Sequence, residues 1–193
     1  VIEASGGVVT IVNSTFYGNS TPKQGGVLDA ATAITVTNST FSHNSADGNL
    51  YWLVDQAAAP APLDDVQHGN VMRITGAPTS TVTLINSILT DNGAGDGCIG
   101  AATDGGGNLY WQAGDATCPG AAADPLLLPL AANGGPTLTQ MPGAGSAALQ
   151  LATAHCPATD QRGYRRPLVG GKCDAGAVET VVVGAWLPIV EKE

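Results

Sequence analysis

Charge and aromatic rings are both scarce in this chain. Only 12% of its 193 residues are charged and 5% are aromatic, and Lys and Arg together number seven against 16 Asp and Glu. A net charge of −9 leaves no basic face for phosphates, which excludes nucleic acid as a partner. No run reaches the roughly 18–20 apolar residues that a membrane helix needs, so no membrane span is expected. No signal-peptide pattern opens the chain. It begins directly in a repeat-like strand and reads as a processed or trimmed piece of something longer. The three histidines are scattered, and no C-x2-C spacing marks a zinc site. The glycine clusters at 105–107 and 134–135 lack a following helix and Lys, so they make no phosphate loop.

What charge there is lies unevenly. Residues 1–150 carry 11 acids against Lys23 and Arg73, whereas residues 151–193 carry five acids and five bases. Four cysteines form two local pairs in sequence, Cys98/Cys118 and Cys156/Cys173. An even number in an acidic, Lys-poor chain favours disulfides and an oxidising, extracellular or cell-surface location.

The informative feature is a repeat. VTIVNSTFYGNS at residues 9–20 returns as ITVTNSTFSHNS at 34–45 and as VTLINSILTDNG at 82–93. Offsets of 25 and 48 set a period of about 24 residues, with a degenerate copy expected between residues 46 and 81 around Val71–Thr75. The tetrapeptide Asn-Leu-Tyr-Trp also recurs, at 49–52 and 108–111. Each copy begins with period-two alternation: Val9, Ile11 and Asn13 point one way, Thr10 and Val12 the other. The next large apolar residue, Phe16, Phe41 or Leu89, sits three positions past the Asn rather than two. The chain must therefore bend there, and Asn tolerates the left-handed conformation of such a bend. Short strands, a bend and glycine-rich turns at this period predict an all-β fold, a right-handed parallel β-helix. Asn13, Asn38 and Asn86 would then form an internal asparagine ladder, each amide bonding the next. The sequons at Asn13, Asn19 and Asn38 match N-glycosylation formally, but a ladder hides two of them and leaves Asn19 as the exposed one.

Periodicity fades after about residue 95. The rest of the chain contains Asp-Pro-Leu-Leu at 124–127, Leu-x-x-Asn-Gly-Gly-Pro-Thr at 130–137, a Pro-Gly-x-x-Ser-Ala string at 142–147, Asp-Gln-Arg-Gly at 160–163, Arg166-Pro167, and Cys-Asp-x-Gly-Ala-x-Glu at 173–179. In this order the motifs resemble the C-terminal region of bacterial secreted β-helix proteins of the "choice-of-anchor Q" type, often met with CSLREA-type repeats. The likeness covers about residues 98–180. It departs where Ala147 replaces a usual Pro and where Leu149-Gln150 replaces Ile-Asp. The resemblance implies a pectin-lyase-like right-handed β-helix that is exported and has no established catalytic role. It also implies local bridges Cys98–Cys118 and Cys156–Cys173 in a disulfide-stapled C-terminal cap. The expected organisation is β-helix coils over 1–97, C-terminal coils and cap over 98–180, and an apolar strand or tail over 181–193.

Three groups could carry chemistry. Asp160 and Arg162 could be an acid–base or anion-binding pair. The Gly and Pro punctuation around them instead favours a buried ion-pair network, with Arg166, Asp174 and Glu179, that locks the cap onto the last coil. Asp64-Asp65 with His68 and Arg73 fits the acids and base of a polysaccharide lyase, though two acids in a Pro/Ala-rich stretch favour a solvated loop. Asp91, Asp96 and Asp104 are the candidates for a weak structural Ca²⁺; no other cofactor is expected. His43 and His155 read as surface residues.

A β-helix has open ends whose strands carry unpaired backbone groups. No amphipathic cap helix opens this chain, and it finishes with Val181, Val182, Val183, Trp186, Leu187, Ile189 and Val190. That tail could fold back along its own body, donate a strand to a neighbouring subunit, or be the remnant of an anchoring signal. An uncapped first coil with a sticky tail predicts head-to-tail assembly of copies into a filament. The expected function is therefore a non-catalytic structural protein of the cell surface or extracellular matrix. The alternative is a carbohydrate-active β-helix enzyme or a carbohydrate-binding adhesin with a surface polysaccharide as partner.

Overall fold

A computed structural model describes residues 1–22, 25–46, 69–75, 80–112, 114–166 and 170–180. Among them the chain is all-β, with parallel sheets, no α-helix and one short 3-10 turn at Gly114–Thr117. The first unit holds β1 (Ile2–Ala4), β2 (Val8–Val12), β3 (Thr15–Tyr17) and β4 (Ser20–Thr21). The second holds β5 (Leu28–Ala30), β6 (Ala33–Thr37), β7 (Thr40–Ser42) and β8 (Ser45–Ala46). Then come β9 (Met72–Ile74), β10 (Val82–Ile85) and β11 (Ile88–Thr90), followed by β12 (Cys98–Ile99), β13 (Ala102–Asp104), β14 (Leu109–Trp111) and β15 (Ala121–Ala122).

Strands pair with their equivalents in the next unit rather than with their neighbours in sequence. The sheets run β1-β5-β9-β12, β2-β6-β10-β13, β3-β7-β11-β14-β15 and β4-β8. Register follows the repeat: Val9 pairs with Ile34, Ile34 with Val82, and Val82 with Ala102. Pairing thus continues past residue 97, where the sequence pattern fades.

Alternation decides which residues face the core. Ile34, Val36, Val82 and Leu84 are buried, while Thr35 and Thr83 between them are partly exposed. Phe16 stacks on Phe41 at 4.9 Å with an interplanar angle of 12°. The bends fall where Asn predicts them: Asn13, Asn38 and Asn86 have φ of 48°, 46° and 50°. A second bend follows the next strand, at Gly18, His43 and Asp91, all with positive φ. His43, a surface residue by sequence, is exposed but also holds this turn, and its ring lies 4.9 Å from that of Tyr17.

Two expectations are corrected. No degenerate copy separates residues 34 and 82, because β6 pairs directly with β10. The strand around Val71–Thr75 is β9, which pairs with β5 and so opens the third unit instead of forming a unit of its own. Residues 47–68 are an insertion between adjacent units, and the Asn-Leu-Tyr-Trp at 49–52 lies outside the described residues.

The second correction concerns the C-terminal segment, which does not sit on the last unit alone. It crosses the outer face of the third sheet, which explains why all three residues of β7 and of β11 are buried. Ile88 and Leu109 pack on Ala148 and Ala175 in a second apolar cluster. Ala177 N donates to Thr40 Oγ1 at 3.0 Å, and Thr15 Oγ1 donates to Gln161 Oε1 at 2.6 Å, so contact extends to the first unit. The reason is composition: the outward residues Thr15, Thr40, Ser42 and Ile88 are small, polar or apolar, and present no charge to keep in water.

Gly176 marks the closest approach. Its φ is 87°, and a Cβ there would lie 2.7 Å from Ile88 Cδ1 and 2.8 Å from Thr40 Oγ1. Gly176→Ala is expected to destabilise the fold by at least about 2 kcal/mol, since the left-handed backbone alone costs about 1–2 kcal/mol. Denaturant unfolding with both disulfides intact checks this.

Candidate functional site

Of the ladder expected of the bend asparagines, only the rung between Asn86 and Asn38 forms. Asn86 Nδ2 donates to Asn38 Oδ1 at 3.2 Å, but Asn38 Nδ2 donates to Asp174 O at 2.9 Å and Asn13 Nδ2 to Thr159 O at 2.6 Å. Asn13 Oδ1 is buried without a partner. The amides are turned toward the C-terminal segment, whose carbonyls outcompete the neighbouring unit. These three residues fasten that segment to the flank.

A continuous ladder lies six residues further along each copy. Asn19 Nδ2 donates to Asn44 Oδ1 at 2.9 Å, Asn44 Nδ2 to Asn92 Oδ1 at 3.0 Å, and Asn92 Nδ2 to Asp115 Oδ1 at 3.0 Å. Each acceptor also takes a backbone N–H from the unit before: Asn19 N to Asn44 and Asn44 N to Asn92, both at 3.0 Å. A second ladder uses the residue after each bend. Ser14 N donates to Ser39 Oγ, Ser39 N to Ser87 Oγ, and Ser87 N to Asn108 Oδ1, at 3.3, 3.3 and 2.8 Å. The signal was in view, since Asn follows the bend by six residues in all three copies. Asn19 is therefore half-buried with its amide engaged, rather than an exposed sequon.

Asp115, which ends the asparagine ladder, was not foreseen as special. It is fully buried, its Oδ2 has no hydrogen-bond partner, and it lies beside the Cys98–Cys118 disulfide. Burial pushes its carboxyl up to about 6, Asn92 opposes, and the charge on Asp91 adds slightly.

The charged motifs meet in one network. Asp160 accepts five hydrogen bonds: Oδ1 from the N–H of Arg162 and Tyr164, and Oδ2 from Arg162 Nε, Arg162 Nη2 and Glu179 N, all between 2.8 and 3.0 Å. Burial is the largest influence on this carboxyl and pushes it up. The Glu179 N–H, then Arg162 and Tyr164, outweigh burial and hold it below the usual range. Arg162 also donates to the carbonyls of Glu179 and Asn133, and its guanidinium stacks on Tyr164 at 4.6 Å. Arg166 pairs with Glu179 at 3.0 Å and donates to Asp174 O and Gly176 O. Asp174 accepts from Gln150 N, Thr180 N and the Thr180 hydroxyl. Burial pushes Glu179 up to about 7, and the Asp174 charge adds; the Asp174 N–H and Arg166 oppose it. The donors and acceptors of this network are turned toward one another, and its bonds tie residues 160–166 to residues 174–180.

Both disulfides are present, Cys98–Cys118 and Cys156–Cys173. The second ties Cys156 to Cys173, which precedes Asp174 and pairs antiparallel with Ala152. Arg73 pairs with Asp29 on the outer face of the first sheet, at 2.5 Å. Asp64, Asp65 and His68 lie outside the described residues, as do Pro167 and the tail residues Val181, Val182, Val183, Trp186, Leu187, Ile189 and Val190. Among the described residues no three His, Cys, Asp or Glu side chains group as metal ligands. Asp91 accepts from Thr90 and Gln112, whereas Asp104 accepts from Gly106 N and Asn108. No helix among the described residues is long and apolar enough to cross a membrane. No family model, curated protein or solved structure matches the chain.

Proposed function

We propose that the chain is a right-handed parallel β-helix of the kind its C-terminal motifs resemble, serving a non-catalytic structural role at a cell surface or in extracellular matrix and assembling through its ends. The observation that supports this reading is the parallel, in-register pairing of each strand with its equivalent in the next unit, in the orders β1-β5-β9-β12, β2-β6-β10-β13 and β3-β7-β11-β14-β15. Two disulfides fit an oxidising compartment. The partner expected from the sequence is another copy of the chain, with residues 181–193 contributing. A carbohydrate-active or carbohydrate-binding role draws no support from Asp29, Asp91, Asp104, Asp124, Asp160, Asp174 or Glu179, whose carboxylates accept hydrogen bonds within the fold.

Electron microscopy and sedimentation velocity test the assembly. Elongated species larger than a monomer are expected, reverting to monomer when residues 181–193 are deleted. A full-length chain that stays monomeric at high concentration overturns self-assembly, and a truncated chain that assembles unchanged removes the tail from it.

A further inference from the structure

Residues 125–154 carry no charged side chain. Within them the chain doubles back as an antiparallel ribbon. Leu127 lies opposite Pro142 and Ala131 opposite Thr139, and Leu128 N donates to Met141 O at 2.8 Å. Alternation gives the ribbon two faces. The inner one holds Thr139, fully buried, and Leu127, packed on the second apolar cluster. The outer one holds Leu126, Leu128 and Leu138, which are 43%, 50% and 53% exposed. Leu126 and Leu128 border one surface, since a Cβ at Gly143 would lie 3.8 Å from the first and 3.6 Å from the second.

An exposed apolar face does not by itself say what covers it; here the path of the chain does. Arg162 Nη1 donates to Asn133 O at 3.2 Å, at the turn of the ribbon, and its Nη2 donates to Glu179 O at 2.5 Å. One guanidinium thus bridges the ribbon and the point where the chain leaves the charged network. Thr180 N is fixed there by Asp174 Oδ2 at 2.7 Å. Tyr164, 48% exposed and stacked on the same guanidinium, extends the surface to Gly134, where a Cβ would lie 3.0 Å from its hydroxyl. The residues after Thr180, VVVGAWLPIV at 181–190, are also uncharged and mostly large and apolar. Ten extended residues reach about 33 Å, whereas the ribbon from Asn133 back to Leu126 spans about 23 Å. A segment tethered within reach has an effective concentration on the order of millimolar, which favours it over a free copy.

We infer that the outer face of this ribbon seats residues 181–190 of the same chain. Leu126, Leu128, Leu138 and Tyr164 take the apolar side chains of the tail, uncharged surface against uncharged segment. The inference goes beyond the assembly reading, because it places in cis the segment which that reading offers to a neighbour. Exchange of the tail between copies would reuse the same surface.

The test uses the full-length chain and works from both sides of the contact. Hydroxyl-radical footprinting reads side-chain exposure at Leu126, Leu128, Leu138 and Tyr164. Chymotrypsin reads access to Trp186 and Leu187. Replacing the tail side chains, Trp186→Ser with Leu187→Ser and Ile189→Ser, is expected to raise labelling of the ribbon several-fold. Leu128→Lys with Leu138→Lys is expected to speed cleavage of the tail at least about tenfold, and Val12→Lys, at an exposed residue of β2, to leave it unchanged. Ribbon labelling that ignores the tail variant overturns the inference, as does a tail cleaved equally fast with and without the ribbon leucines. Both readouts repeated across about a hundredfold dilution, beside sedimentation velocity, separate the two readings. If the chain is monomeric and the contact persists, the inference holds and self-assembly fails. If the contact is lost on dilution together with larger species, the tail reaches a neighbour: the inference fails while the assembly reading stands.

Discussion

Arg166→Met is expected to destabilise the fold by about 3–5 kcal/mol, the usual cost of removing one partner from a buried ion pair. The guanidinium is fully buried and neutralises a Glu179 carboxyl that is itself 3% exposed. It also satisfies the carbonyls of Asp174 and Gly176, which methionine cannot. Glu179 would be left buried against Asp174 with no cation beside it. Because these carbonyls belong to the segment that lies over β7 and β11, its hold on the flank should weaken together with global stability. Adding Glu179→Gln should recover part of the loss by removing the stranded charge. Guanidinium unfolding of the single and double variants reads this directly. A loss below about 1 kcal/mol for Arg166→Met would mean the pair contributes no more than an exposed one does.

Asp115→Asn should change stability in a pH-dependent way. Asp115 titrates near 6 in the fold against an ordinary 3.8, so the folded state holds its proton more tightly than the unfolded state. Below about pH 4 the carboxyl is protonated in both states and carries no penalty. As pH rises through about 6 the unfolded state has ionised while the fold resists, and stability falls. The span between the two values corresponds to about 3 kcal/mol, present in full above about pH 6. The asparagine side chain of the variant keeps an acceptor for Asn92 and carries no charge. The variant's stability relative to the natural chain should therefore improve by about 3 kcal/mol between pH 4 and pH 8. Unfolding free energies at the two pH values test this, and a difference that does not vary with pH refutes it. Glu179, raised for the same main reason, acts in the same direction through about pH 7. Asp160, held low, works oppositely: its contribution is present at neutral pH and is lost as pH falls below the ordinary carboxylate range.

Much of the architecture was legible because the information is local. Period-two alternation around Ile34 and Val36 depends only on strand geometry, and the bend at Asn13, Asn38 and Asn86 only on the backbone that Asn tolerates. The missed ladder had an equally local signal in Asn19, Asn44 and Asn92. The bend asparagine fits the same spacing, so the repeat alone does not say which of the two amides bonds along the stack. The spacing of 48 between the second and third copies was ambiguous for a different reason. Inserted residues leave register untouched, so one unit plus an insertion looks like two units in sequence.

The all-β class, the parallel in-register stacking and the positions of the bends were all set within the amino-acid sequence. Each follows from a preference that acts within one repeat. Which amide bonds which was settled only once the chain had folded. Asn38 is equally able to donate to Asn13 or to Asp174 O, and the choice depends on a segment 136 residues away. The same holds for Asp115, an ordinary acid in sequence. Its elevated pKa comes from being sealed at the end of a ladder whose other members are distant in the chain, and burial is a property of the folded surroundings.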